Sequence, residues 1–206
     1  MSQDHVSDIA FTPAVKAEQD RRGSREGYRK MAERQDWSAT VTADLAAFIA
    51  ERDSFYLATA TADGQPYLQH RGGSKGFLRV IDERTLGIAD FGGNRQFISL
   101  GNLAENDKVC QFLMDYANQR RIKIWARARV VEDGPDLIAS LADPGYEAKP
   151  ERALLFAIEA WDVNCPQHIT RRYTEADIAG VVQGLQDRIA ALEAEAKTLR
   201  AAADNV

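Results

Sequence analysis

The stretch Ile122-Lys123-Ile124-Trp125-Ala126-Arg127-Ala128-Arg129-Val130 decides how this chain is read. Ile122, Ile124, Ala126, Ala128 and Val130 hold every second place, and Lys123, Trp125, Arg127 and Arg129 hold the places between. A period of two sends successive side chains to opposite faces, so this is a long strand with one face in a core. Upstream, Phe55–Thr61 and Tyr67–His70 flank the turn sequence Ala62-Asp63-Gly64-Gln65-Pro66 and read as a hairpin. Phe77–Ile81 and Thr85–Ala89 form another pair across Asp82-Glu83-Arg84, while Val109–Tyr116 and Leu154–Val163 are further strands. Strands that arrive in hairpins with few helices between them predict an antiparallel barrel rather than a parallel sheet.

Helices are expected around that barrel. Residues 1–40 are polar and charge-rich, with a helical stretch at Ala14–Glu33 that Gly23 and Gly27 weaken, and they read as an N-terminal helical arm. Thr42-Ala43-Asp44 opens a better helix whose apolar face is Leu45, Phe48 and Ile49. Asn94 is positioned to cap a helix from Arg95 to Glu105, with Phe97, Ile98 and Leu103 inward. Pro135–Leu141 reads as a short helix. At the end of the chain Ile178, Val182, Leu185, Ile189, Leu192, Ala196 and Leu199 follow a 4-3 spacing with charges between them. A lone helix cannot bury such a seam on itself, so it packs on its own barrel or on a second subunit. The chain therefore divides into the arm at 1–40, a barrel domain at 41–172 and an amphipathic helix at 173–206.

Composition narrows the function classes. The chain has 206 residues, 45% of them hydrophobic and 28% charged, the balance of a globular protein with one sizeable core. A net charge of −5 argues against a general nucleic-acid binder, which needs a positive surplus to displace counterions. Met1–Ile9 lacks the basic start and apolar run of a signal peptide, and no apolar run approaches the roughly 20 residues that cross a bilayer. The expected location is the cytoplasm, without membrane attachment. Cys110 and Cys165 form no CxxC pattern, and Cys110 lies in an apolar run as an inert thiol. His5, His70 and His168 have no metal-ligand spacing.

Two glycine-rich basic segments carry what chemistry the spacing offers: Arg71-Gly72-Gly73-Ser74-Lys75-Gly76 and Phe91-Gly92-Gly93-Asn94-Arg95-Gln96. Neither is a Walker loop nor a dinucleotide fingerprint. Each combines glycine with cationic donors, and the second leads into a helix N-terminus, where free amides and the dipole favour an anion. Arg71 can grip two oxygens of a phosphate monoester, with Lys75 and Arg95 adding charge. Ordinary hairpin turns with solvated charges explain the same residues, and the spacing leaves both readings open.

The run Glu51–Asp133 resembles the pyridoxamine 5'-phosphate oxidase-like FMN-binding split-barrel family. The resemblance rests on Asp63-Gly64-Gln65-Pro66-Tyr67, on Arg71–Lys75, on Gly93-Asn94-Arg95-Gln96 with Leu103-Ala104-Glu105-Asn106, and on Arg120-Arg121-Ile122-Lys123-Ile124. The segment Trp161–Ile169 looks like an ending of an uncharacterised branch. The resemblance implies a mainly β, α+β fold: a six-stranded antiparallel split barrel carrying a long C-terminal helix, in a homodimer with FMN in clefts between subunits. It implies phosphate contacts at Arg71, Ser74, Lys75, Asn94 and Arg95. It also puts Arg121 where a glutamine often meets the flavin ring, and a cation there would stabilise the reduced flavin. The vitamin oxidases end in an arginine-x-histidine-aspartate-arginine motif, whereas this chain has Gln167-His168-Ile169-Thr170-Arg171-Arg172, which argues against pyridoxal phosphate synthesis.

His70, His168 and Arg171 are the candidates for a small-molecule substrate, each with a plain surface role as its alternative. No dedicated catalytic acid or base is evident, as suits chemistry carried by a flavin. The expectation is an FMN-dependent oxidoreductase. A flavin-binding or sensing module without turnover, or a split barrel holding F420 or haem, are the competing readings.

Overall fold

The computed structural model describes residues 5–163 and 165–203, so Asn164 and the outermost ends of the terminal segments lie outside the described residues. In chain order the elements are α1 (Pro13–Arg21), α2 (Arg25–Gln35), α3 (Ala43–Ala50), β1 (Ser54–Ala60), β2 (Pro66–Gly72), β3 (Arg79–Val80) and β4 (Thr85–Phe91). They continue with α4 (Ile98–Glu105), β5 (Lys108–Asp115), β6 (Arg120–Val131), α5 (Pro135–Leu141), β7 (Pro150–Val163) and α6 (Glu175–Ala203). Two bodies emerge: one runs through Asp115 and resumes over Arg120–Gln167, and the other comprises Tyr116–Gln119 with the chain from His168 onward.

The first body is one antiparallel sheet in the order β2-β1-β5-β6-β7-β4-β3. The alternating strand β6 lies at its centre, in register with β5 through Leu113↔Ile122 and with β7 through Ala128↔Phe156. Its even-numbered side chains Ile122–Ala128 are buried, as the period of two requires. They meet Phe55 and Leu57 of β1, Leu86 and Ile88 of β4, and Phe156 and Ile158 of β7. Helix α3, capped by the Thr42 side chain, inserts Leu45, Phe48 and Ile49 into the same cluster. Burying side chains of this size contributes about 1.5–3 kcal/mol each, and this cluster is what curls the sheet around one core.

The fold class is the expected α+β split-barrel type, with three corrections of detail. Among the described residues the sheet has seven strands rather than six, because the two-residue β3 pairs with β4, and no backbone pairing joins its two edges. The stretch read as one helix at Ala14–Glu33 is two, broken where Gly23 takes φ +77°, a conformation that suits glycine. The helix expected from Arg95 begins three residues later. Arg95 and Phe97 both adopt positive φ, Phe97 is the N-terminal flanking residue, and the Asn94 side chain accepts from the Gln96 amide in a local turn. Phe97 and Ile98 are accordingly 48% and 40% exposed instead of pointing inward. Among the described residues, no helix is long and apolar enough to cross a membrane.

Helix α4 is fixed by its inner face. Asn102 Nδ2 donates to the Thr59 hydroxyl of β1 at 2.9 Å, both groups being buried, and Leu103 packs beside them. Thr59→Val keeps the side-chain shape and leaves that amide without its acceptor. The expected result is a loss of about 1–3 kcal/mol, read as a lower urea midpoint with an unchanged slope.

Candidate functional site

Strand β2 sorts its side chains by parity. Tyr67, Gln69 and Arg71 turn to the half-buried side, while Leu68 and His70 are exposed on the other. The half-buried side borders a cleft of about 210 Å³ that is completed by Asp90 and Phe91 of β4, the loop 93–97, the first turn of α4, and Glu151 with Arg152 of β7. The register between β4 and β7 shifts at Asp90/Phe91, a bulge that re-aims the strand end at the rim of the cleft.

The floor of the cleft is ionic. Asp90 is 4% exposed, and its two carboxylate oxygens are divided between two arginines. Arg71 Nη1 donates to Oδ1, and Arg152 Nη1 donates to Oδ2 at 2.9 Å. Burial opposes charge on Arg152, but the bonds it donates to Asp90 and, at 2.5 Å, to Glu151 outweigh it and raise the guanidinium above its ordinary value. The Arg152 guanidinium also lies 5.9 Å from the Phe97 ring centre. Arg71 Nε is buried without a hydrogen-bond partner among the described residues. Among the lining residues three arginines (Arg71, Arg95, Arg152) face two carboxylates (Asp90, Glu151), one positive charge over, while the exposed Glu132 reaches Arg152 at 3.6 Å from outside the lining.

Helix α4 adds directed donors. It has no side-chain cap, so the amides of Ile98, Ser99 and Leu100 at the cleft wall lack intrahelical acceptors. Ser99 Oγ donates to Gln69 Oε1 at 2.7 Å, which ties this turn to β2. A positive dipole end, free amides and a cationic surplus together suit an anion such as a phosphate monoester.

The structure brings only some of the sequence candidates together. Arg71, Asn94 and Arg95 line the cleft. Ser74 and Lys75 do not: the Ser74 hydroxyl lies beside Asp143 and helps hold that carboxyl below its usual range, and Lys75 Nζ pairs with Glu51 at 2.5 Å on the surface. The glycines between them have a packing reason. The Gly73 and Gly76 amides donate to the Asp53 and Arg52 carbonyls, and at Gly76, with φ +77°, a Cβ would sit 3.0 Å from the Ala50 carbonyl oxygen. Arg121 shares the face of β6 that carries Lys123 and Trp125, away from the buried row.

His70 packs edge-on against Tyr56, 5.6 Å between ring centres, on the side of β2 opposite Arg71. His168 and Arg171 belong to the second body, in which Arg171 Nε donates to Gln119 Oε1 at 3.1 Å. Asp90, Arg152, Gln69 and Ser99 were missed by the sequence reading. The available signal was Asp90 itself, a charge at the end of the apolar run Leu86–Ala89. Among the described residues no group of three or more His, Cys, Asp or Glu is arranged to hold a metal ion.

Comparison with known proteins finds similarity both in sequence and in structure. The family model for pyridoxamine 5'-phosphate oxidase matches residues 41–165. Among solved structures, HupZ of Group A Streptococcus aligns with a TM-score of 0.50 at 16% identity, covering 65% of this chain and 99% of its own. An FMN-binding protein from Syntrophomonas wolfei aligns at 0.47 and 19% identity, covering 72% and 97%. A Clostridium acetobutylicum protein related to general stress protein 26, of the pyridoxinephosphate oxidase family, aligns at 0.45 and 14% identity, covering 60% and 86%. No curated protein matches the chain in sequence.

Removing Asp90 leaves two half-buried guanidiniums facing each other without their shared, buried counterion. Asp90→Ala is expected to lower stability by about 3–5 kcal/mol, the cost of stranding a buried charge, measured by urea unfolding. A loss below 1 kcal/mol would mean that the two arginines are solvated and that the ionic floor is not a structural clasp.

Proposed function

The chain belongs to the pyridoxamine 5'-phosphate oxidase family, and on that premise we propose that it is an FMN-binding flavoprotein, an oxidoreductase acting on a small molecule. The observation that carries this reading is the cationic surplus of the cleft, placed where the first turn of α4 presents its unpaired amides. The residues fit a phosphate-bearing flavin. Arg71 has a buried Nε without a partner, Arg152 is held protonated, and Arg95 makes no ion pair among the described residues. Together with the amides of Ile98–Leu100 they would hold the phosphate, with Asn94 at the rim. When bound, the flavin supplies hydride transfer at its ring, and the hard chemistry is its own.

What the chain supplies is anchorage and exclusion. Asp90 fixes both half-buried arginines in place, so they are already oriented when a phosphate arrives, which reduces the ordering cost of binding. The Gln69–Ser99 bond holds the helix start against β2. The cleft of about 210 Å³ falls short of the 300–1,000 Å³ that small-molecule sites commonly span. The phosphate end is therefore accommodated by one chain, and a second copy would complete the walls around the rest of the cofactor.

The test begins with the absorption spectrum of the purified protein and mass spectrometry of whatever heat releases. Bands at about 370 and 450 nm with released FMN are expected, since oxidised flavins absorb there. Arg95→Ala should then weaken FMN binding at least tenfold with an unchanged melting temperature, because a charge-assisted bond is worth about 1.5–3 kcal/mol and Arg95 holds nothing else. Reduction of the bound flavin by NAD(P)H followed by reoxidation by a small acceptor would support turnover. Tight binding without either would leave a flavin module. A colourless protein that takes up no added FMN would remove the assignment.

A further inference from the structure

Helix α6 is 29 residues long, about 43 Å at 1.5 Å per residue, and none of its described residues is buried. Ile178, Val182, Leu185, Ile189, Leu192 and Leu199 lie between 42% and 64% exposed, one row along a single face of the helix. Gly180 and Gly184 each cost about 1 kcal/mol of helix propensity relative to alanine, so a helix of this composition depends on packing for its stability.

Which residue takes which place says what covers the row. The 4-3 spacing makes Val182, Ile189 and Ala196 the a positions, and Ile178, Leu185, Leu192 and Leu199 the d positions of three heptads. β-Branched residues at a with leucine at d are the pattern that favours two parallel strands over three or four. The flanking charges specify the partner independently. Arg188 and Glu195 occupy g, and Glu193 and Arg200 occupy e. In a parallel pair each g side chain meets the e side chain five residues further along the other helix. Arg188 then faces the partner's Glu193, and Glu195 faces the partner's Arg200. With both helices contributing, this makes four complementary contacts and no like-charge contact.

We propose that α6 is a self-complementary dimerisation helix that forms a parallel, in-register, two-stranded coiled coil with a second copy of this chain. The contact is isologous: each copy offers the same row and the same charges, so the assembly closes at two. The proposal stands on the helix alone and does not depend on the flavin reading.

The test uses the full-length chain with single added cysteines, oxidised in a glutathione buffer, with disulfides located by mass spectrometry. Cys110 and Cys165 are present in every variant, so only a link between the two introduced cysteines counts. In a parallel in-register pair, residue 196 faces its own counterpart within the 4.4–6.8 Å Cα spacing a disulfide needs. Ala196→Cys should therefore cross-link to itself at least tenfold more than Asp187→Cys, which lies at the outward f position. In the Ala196→Cys background, Arg188→Glu with Arg200→Glu makes all four flanking places acidic, and Glu193→Arg with Glu195→Arg makes them all basic. Each of these chains alone should lose most of its cross-link, and their co-expression should restore it as the mixed species. Equal cross-linking of Ala196→Cys and Asp187→Cys would overturn the proposal, as would indifference to the charge changes. Bound-flavin absorbance, followed in the same samples, reports on the cleft separately.

Discussion

Asp90 holds the first body together where the backbone does not. The sheet runs from β2 at one edge to β3 at the other, and among the described residues no ladder of hydrogen bonds joins those edges. Arg71 reaches from the edge strand β2 to Asp90 on β4, and Arg152 reaches the same carboxylate from β7. A single buried carboxylate thereby clasps one edge of the curled sheet to the strands near the other. Such a clasp carries a desolvation cost that a set of apolar side chains would avoid, so stability alone is a poor reason for it. Its geometry offers a better one: two guanidiniums are held side by side with donors to spare, at the point where the barrel is split.

The same arrangement explains why the cleft lies where it does. A closed barrel would satisfy every strand by pairing and would leave no gap between β2 and β4. Because the closure is made by side chains, the gap persists, and the start of α4 fills one wall of it. That helix is anchored twice, by Asn102 to Thr59 in the core and by Ser99 to Gln69 on β2. Its uncapped first turn is thus rigidly placed although it faces solvent, and the left-handed conformations of Arg95 and Phe97 are held by a loop between two fixed points. Rigid donors around a small surplus of positive charge discriminate for anions without requiring the rest of a negatively charged protein to be basic.

How much of this could be read beforehand depended on where each signal resides. The strand β6 was legible because one of its faces is buried and the other is not, so burial prints itself on the sequence as alternation. The core of α3 was legible for the matching reason at a period of 3.6. The clasp was not, since Asp90 and Arg152 are 62 residues apart and nothing local marks them as partners. Segment Arg71–Gly76 shows the opposite failure. Its glycines and cations are adjacent in sequence and suggest one site, but Gly73 and Gly76 serve the packing of the loop against Arg52 and Asp53, and alternation along β2 sends His70 away from Arg71. Parity could be counted from the sequence. Which parity faces the gap required the neighbouring strands.

Two features of the chain, remote in sequence, ask for the same thing. The cleft is too small to enclose a dinucleotide-sized or flavin-sized ligand by itself, and the a and d residues of α6 are exposed along three heptads. Each is a surface left incomplete, and the charge order of α6 complements another α6 in the same direction. A parallel pair has its twofold axis along the helices, so it relates the two chains by one rotation and stops at two copies. A contact between the two barrels that is itself isologous is reciprocal in the same way. A cleft wall contributed by the second copy would then be contributed reciprocally, giving two equivalent clefts per dimer. The tail would raise the effective concentration of one barrel for the other, which stabilises even a weak contact at the cleft.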